Sequence, residues 1–164
     1  MKKLPKGLPE CDHKEVSDIY IPANIVHPVT RIRKNGDVYE ITKKEPLDLK
    51  DLSKQKEETI KLSAGEFESL SKVAGKSIRK IRYAYNWQGM DCEIDIFQDK
   101  LAGLVIADFE FQTDEEMASF KMPSFCLAEV TGEEFPAGGM LAGKSYKDIE
   151  KDLSRFGYRK LQWK

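Results

Sequence analysis

The stretch IRKIRYAYNWQGMDCEIDIF, Ile78–Phe97, decides how this chain folds. On either side of Gln88-Gly89 it alternates in character with a period of two. Lys80 and Arg82 flank Ile81 in the first half; Glu93 and Asp95 flank Ile94 in the second. A period of two places both charges of each pair on one face of a β-strand and the residue between them on the other. Two antiparallel strands around a tight turn follow, one face ionic and the other apolar. Arg31-Ile32-Arg33, Asp108-Phe109-Glu110 and, more loosely, Lys56-Glu57-Glu58 repeat the pattern elsewhere.

Antiparallel sheets often leave one face in water, and a solvated charged face needs no function. Solvent faces, however, usually mix signs and hydroxyls within a strand, whereas each strand here carries mostly one sign. The sequence holds 164 residues, 34% of them charged and 40% hydrophobic, enough for a single domain with a real core. Its 27 basic and 28 acidic residues leave a net charge of −1, which argues against a general nucleic-acid binder. Cys11, Cys92 and Cys126 are an odd set without CxxC spacing and read as free thiols of a reducing compartment. With only His13 and His27 present, both read as loop or surface residues, a metal would be held by carboxylates, which favours Mg²⁺, Mn²⁺ or Ca²⁺. The N-terminus has no apolar leader and no run of 18 apolar residues occurs, so no membrane association and a cytoplasmic location are expected.

Working outward, residues 1–12 suggest no regular element, and a strand is expected over 14–21, ending before Pro22. Val29–Lys34 and Asp37–Lys44 read as a hairpin around Asn35-Gly36. Residues 45–55 read as a mobile connection and Lys56–Leu62 as a strand. Ser63 with Glu66 forms a capping box for a helix that Gly75 stops, with Phe67, Leu70 and Val73 as its apolar stripe. Leu104–Phe111 is a further strand, Thr113 with Glu116 caps a short helix, and Phe125–Thr131 is an extended piece. Ser145 caps a last helix on which Tyr146, Ile149, Leu153 and Phe156 share a face. About seven long strands and three helices result. A two-layer sandwich and a barrel both accommodate them, and in a barrel the ionic face becomes an enclosed lumen.

Carboxylates and cations crowded into such a space must be paired with each other or with a ligand. A triphosphate with a divalent ion answers both halves: guanidinium and ammonium groups grip phosphates, and carboxylates hold the metal.

The chain resembles the CYTH domain, or triphosphate tunnel metalloenzyme family. The resemblance rests on Tyr20-Ile21, Arg31-Ile32-Arg33, Ile41-Thr42-Lys43-Lys44, Lys80-Ile81-Arg82-Tyr83, Glu93-Ile94-Asp95-Ile96-Phe97, Gly103-Leu104 leading into Asp108-Phe109-Glu110-Phe111, and Glu129-Val130-Thr131, in that order along nearly the whole chain. It implies an α+β fold, an antiparallel eight-stranded barrel with helices outside, that binds triphosphates with Mg²⁺ or Mn²⁺. It further implies Arg31, Arg33, Lys44, Lys80 and Arg82 as phosphate ligands. Glu93, Asp95 and Lys80 would be catalytic, and Glu58, Asp108, Glu110 and Glu129 metal-binding; Glu57 takes the place of Glu58 if the strand register slips by one.

The family's Glu-x-Glu-x-Lys signature, expected on a first strand, is absent. A barrel one strand short is therefore expected, with the gap covered by a second copy in a homodimer or left as an open trough. The expected activity is metal-dependent hydrolysis of an inorganic or organic triphosphate. Two alternatives stand beside it: a module that binds polyphosphate or nucleotides without turnover, and an adenylyl cyclase. Asp108 stands where Glu is more usual. Gly138-Gly139 reads as a flexible turn rather than a phosphate cradle, Lys144 as a solvated side chain or a residue at a tunnel mouth, and Trp87 as a structural aromatic rather than a stacking platform.

Overall fold

Both hairpin turns form where glycine permits a positive φ. At the second, Gln88 (φ 55°) and Gly89 (φ 87°) both adopt it, a type I′ turn between Trp87 and Met90. At the first, Asn35 pairs with Val38, so the turn is Gly36-Asp37 and only Gly36 (φ 59°) is positive. That is the type II′ pattern, one residue further along than the Asn-Gly reading places it.

The computed structural model describes residues 1–48 and 51–162, with the backbone alone at 45–48 and 51–55. Its strands are β1 (His13–Ile21), β2 (Thr30–Asn35), β3 (Val38–Asp48), β4 (Asp51–Leu62), β5 (Lys76–Trp87), β6 (Met90–Phe97) and β7 (Val105–Phe109). The helices are α1 (Ala64–Leu70), α2 (Asp114–Ser119), α3 (Gly138–Leu141) and α4 (Tyr146–Ser154). Hydrogen bonding orders the strands β4-β3-β2-β1-β5-β6-β7, and every strand pair with a defined register is antiparallel. Most of residues 45–55 are strand: β3 and β4 continue through Lys44–Glu57 and Pro46–Gln55 pairs to Asp48 and Asp51, with a register irregularity after Pro46. Proline at a bulge gives up no regular ladder bond, which is why Pro46 did not end the strand as expected. Phe125–Thr131 forms no strand, and α3 was missed because no side chain caps it.

The chain forms two compact units. One comprises Met1–Lys14, Lys80–Phe135 and Lys144–Lys164. Its core gathers the residues on the face of β5, β6 and β7 opposite the charges: Tyr83, Cys92, Ile94, Ile96 and Val105, with Phe125 beside them. Residues 1–12, expected to be irregular, include a 3-10 turn over Leu8–Glu10, and Met1 and Leu8 are buried in this core. The Lys2 amide donates to the Phe125 carbonyl at 2.9 Å. Tyr158 ties the region after α4 to β7, accepting from the Val105 amide (2.8 Å) and donating to the Gly103 carbonyl (2.9 Å). On α4 the Ser145–Asp148 capping box is formed, and Tyr146, Ile149 and Leu153 are buried.

The second unit comprises Glu15–Arg79 and Pro136–Gly143. Ile32 on β2 and Val16 on β1 are buried there. Helix α1 carries the expected Ser63–Glu66 capping box but ends at Leu70, five residues before Gly75, and its Phe67 packs on Tyr39 with ring centroids 5.2 Å apart. Val73 is largely exposed, so the apolar stripe is shorter than the spacing suggests. Among the described residues no helix is long and apolar enough to cross a membrane.

Ile94 has no exposed surface and sits at the middle of the first unit's core. Replacing it with alanine removes buried methyl groups and leaves a cavity, so Ile94→Ala is expected to cost about 2–5 kcal/mol, measured by urea denaturation.

Candidate functional site

The ionic face is buried in part. Among the described residues the buried polar side chains are Asp18, Arg33, Thr42, Lys80 and Asp95, and strand parity puts each on the charged face. Burying ions is costly unless they are paired and hydrogen-bonded, and the pairing is specific in each unit.

In the first unit Asp95 is the hub. Arg82 grips it with two parallel bonds, Nε to Oδ1 and Nη2 to Oδ2, both 2.7 Å, and Lys80 Nζ donates to Oδ2. Parity makes this possible, because Arg82 lies opposite Asp95 across β5 and β6. Burial disfavours the Asp95 charge, but Arg82 and Lys80 outweigh it and hold the carboxyl below the usual carboxylate range. Burial likewise opposes the Arg82 charge and is outweighed, chiefly by Asp95, so the guanidinium stays protonated. Arg82 also pairs with Glu93 through Nη1 and lies 3.8 Å from Asp108 Oδ2. Glu93 and Asp108 are opposite each other across β6 and β7. Desolvation and then the Asp95 charge raise the Asp108 carboxyl above its ordinary value; with 56% of its side chain exposed, water moderates the first of these.

In the second unit Arg33 forms a buried two-bond pair with Asp18, at 2.6 and 2.7 Å. Arg31 and Lys44, on the same face, share Glu57 at 3.9 and 2.7 Å. Tyr20 lies opposite Arg31 and Thr42 opposite Thr59, with 3.1 Å between the two threonine hydroxyls. Burial, reinforced by Asp18, raises the Tyr20 phenol above its usual pKa, so it remains a donor at neutral pH. The Nε of Arg31 is buried with no hydrogen-bond partner among the described residues. A cavity of about 320 Å³ opens among Tyr20, His27, Arg31, Thr42, Lys44 and the Ala137–Gly139 backbone.

Other expected site residues lie apart. Glu58 is on the opposite face of β4, exposed and paired with Lys56, so the metal role expected of it is corrected: Glu57 is the carboxylate on the charged face. Glu110 follows β7 and is exposed, and Glu129 is exposed in an irregular segment. No three His, Cys, Asp or Glu side chains converge as metal ligands among the described residues. Glu93 and Asp108 do form a facing pair, which suits an ion that keeps its waters and phosphate oxygens rather than one caged by protein. Asp18 was missed by sequence reasoning, although an aspartate in phase with Val16 and Tyr20 is an ionic residue on an inward strand face. Trp87 meets Phe120 and Phe125 edge-on, the structural role expected of it.

No known family's sequence model matches the chain. A curated inorganic triphosphatase from Acetivibrio thermocellus is 35% identical over 74 residues, 45% of this chain and 46% of that protein, so the match spans about half the length of the curated relative. The crystal structure of the inorganic triphosphatase NE1496 superposes with a TM-score of 0.65 at 22% identity, covering 87% of this chain and 92% of that one. A second crystal structure of NE1496, described as a hypothetical protein, gives the same TM-score at 23% identity. The chain has the fold of the triphosphate tunnel metalloenzymes.

Removing the Asp95 charge takes a buried countercharge from Lys80 and Arg82. Asp95→Asn is therefore expected to destabilise the protein by about 3–5 kcal/mol in chemical denaturation. Because the folded pKa of Asp95 is depressed, its contribution is complete above the unfolded carboxylate value near 3.9 and is lost as pH falls through the folded value. The variant should lose that part of the acid dependence of stability.

Proposed function

We propose that the chain is a metal-dependent hydrolase of triphosphates, splitting a phosphoric anhydride with water. The observation that carries this reading is the buried, same-sign ionic strand pattern, with cations on β2 and β5 and carboxylates on β6. The fold shared with NE1496 and the partial relationship to a curated inorganic triphosphatase support it.

Arg31 and Lys44 suit phosphate oxygens because their present countercharge, Glu57, is 42% exposed and easily displaced. In the first unit Arg82 and Lys80 suit phosphate oxygens only while Asp95 holds them in place. Arg33 is committed to Asp18 and sets the shape and field of its strand. Glu93 and Asp108 are the residues that would hold Mg²⁺ or Mn²⁺. Such an ion, arriving with the phosphates, supplies neutralisation of charge on phosphoryl oxygens. Glu93, being partly exposed, is also the carboxylate best placed to orient a water molecule. Three unpaired cysteines, Cys11, Cys92 and Cys126, fit a reducing, cytoplasmic compartment. A second reading, binding without turnover, draws on the lack of three converging carboxylates among the described residues.

Phosphate release from inorganic triphosphate, measured with Mg²⁺, with Mn²⁺ and with a chelator, tests the proposal. Metal-dependent release supports it; binding by calorimetry without release under any condition favours the second reading. Arg31→Ala is expected to weaken triphosphate binding at least about tenfold, since it removes a charge-assisted contact worth roughly 1.5–3 kcal/mol, with the fold unchanged by circular dichroism. Unchanged affinity removes Arg31 from the site. Glu93→Gln should lower the metal-dependent rate more than metal-free binding, and an equal fall in both contradicts the assigned division of roles.

A further inference from the structure

Strand β4 ends the sheet, and its outer side is uncovered: among the described residues it bonds to β3 alone. Residues Lys56–Ile60 are all exposed, Ile60 by 65%. The register fixes which of its backbone groups are already used. Asn35 and Val38 close the two-residue turn, and the Lys44 amide donates to the Val29 carbonyl at 3.0 Å, so the even-numbered residues of β3 bond to β2. The odd-numbered Ile41 and Lys43 therefore bond to Ile60 and Glu58 of β4. That leaves the amides and carbonyls of Glu57, Thr59 and Lys61 aimed outward, away from the sheet. Their side chains lie on the charged face, opposite Lys44, Thr42 and Glu40.

We propose that this edge pairs with the same edge of a second copy, giving an antiparallel two-fold dimer centred on Thr59. In that register Thr59 faces Thr59 of the partner subunit, and Glu57 faces Lys61 of the partner subunit on each side of the axis. All three outward residues then exchange amide and carbonyl bonds, and each carboxylate meets an ammonium. Glu57 has room for that donor: its Oε2 holds Lys44 at 2.7 Å, but its Oε1 is 3.9 Å from Arg31. Charges on an edge strand usually deter pairing, and neighbouring registers show why. A two-fold axis at Glu57, Glu58 or Lys61 sets like charges together, and one at Ile60 gives Glu57 no cation. On the opposite face Lys56 meets Leu62 of the partner subunit. Beside Leu62 a groove of about 440 Å³, lined also by Gly65, Glu66, Ser69 and Leu70, leaves space for the lysine stem. The other end of the sheet offers no such match. On β7 the Val105 amide is taken by Tyr158, and two-fold registers centred on Ala107, Asp108 or Phe109 set Asp108 against Ile106, itself or Glu110.

Sedimentation velocity of the full chain under reducing conditions, over about 1 μM to 1 mM protein, tests this independently of any triphosphate. The mass should rise with concentration from 18.8 kDa toward twice that value. Lys61→Glu sets two carboxylates opposite each other and should raise the dissociation constant at least about tenfold, while Lys61→Arg should leave it within about threefold. Circular dichroism checks that both variants keep the fold. Thr59→Cys places two thiols across the axis at a Cα separation of about 5.5 Å, which a disulfide accepts. With oxidised glutathione it should give a covalent dimer, whereas Ile60→Cys and the unmodified protein, with its own Cys11, Cys92 and Cys126, should not. A mass that stays at 18.8 kDa throughout overturns the proposal. A dimer that Lys61→Glu leaves intact lies on another surface and overturns it too. Cross-linking through Ile60→Cys instead of Thr59→Cys rules out the Thr59 register.

Discussion

A buried carboxylate held between cations is the constraint on which the rest of this molecule depends. Asp95 is almost wholly enclosed, and it stays ionised only because Arg82 and Lys80 reach it from the neighbouring strand. That geometry demands the pairing of Arg82 with Asp95 across β5 and β6, and so fixes their register. A slip of one residue would send the charges into the apolar core and Ile81 and Ile94 to the ionic face. Asp18 and Arg33 impose the same demand on β1 and β2. Hydrophobic burial alone tolerates small adjustments of packing; two-bond ion pairs do not, and the strands inherit their precision.

The ionic side chains divide into those with permanent partners and those with loose ones. Asp18, Arg33 and Asp95 are enclosed and doubly bonded, and their removal would be felt as lost stability. Glu57 and Glu93 are each 42% exposed; Glu57 is shared by two cations, and Glu93 shares Arg82 with Asp95. Stability is concentrated in the first set and availability to a ligand in the second. Ligand binding at the proposed site and stability can therefore be perturbed separately, although both rest on the same strand faces.

Strand positions, the two hairpins and the sign of each ionic strand were legible in the sequence because period-two alternation and Gln88-Gly89 are local signals. What was not legible depended on tertiary partners. Glu57 and Glu58 are neighbours of identical type, and only the Lys44–Glu57 register settles which one joins Arg31. The extension of β3 and β4 through a polar stretch containing Pro46 rests on long-range pairing that overrides local propensity. The cavity wall at Gly138 and Gly139 was read as a turn, since nothing in a Gly-Gly pair announces that Tyr20 and His27 press against it. Asp18 was overlooked for a related reason: an isolated acidic residue on a strand looks solvated until its arginine is found.

Glu57 already occupies the position beside Lys44 and near Arg31 that the proposed function gives to an anionic ligand. Any anion reaching those cations enters by exchange rather than by capture, displacing one negative charge as another arrives. The local charge balance then changes by less than the ligand's full charge, and the strand face need not survive an interval with bare cations. The protein keeps its own stand-in at the site, and measured affinity reports the difference between two anions, not the strength of one.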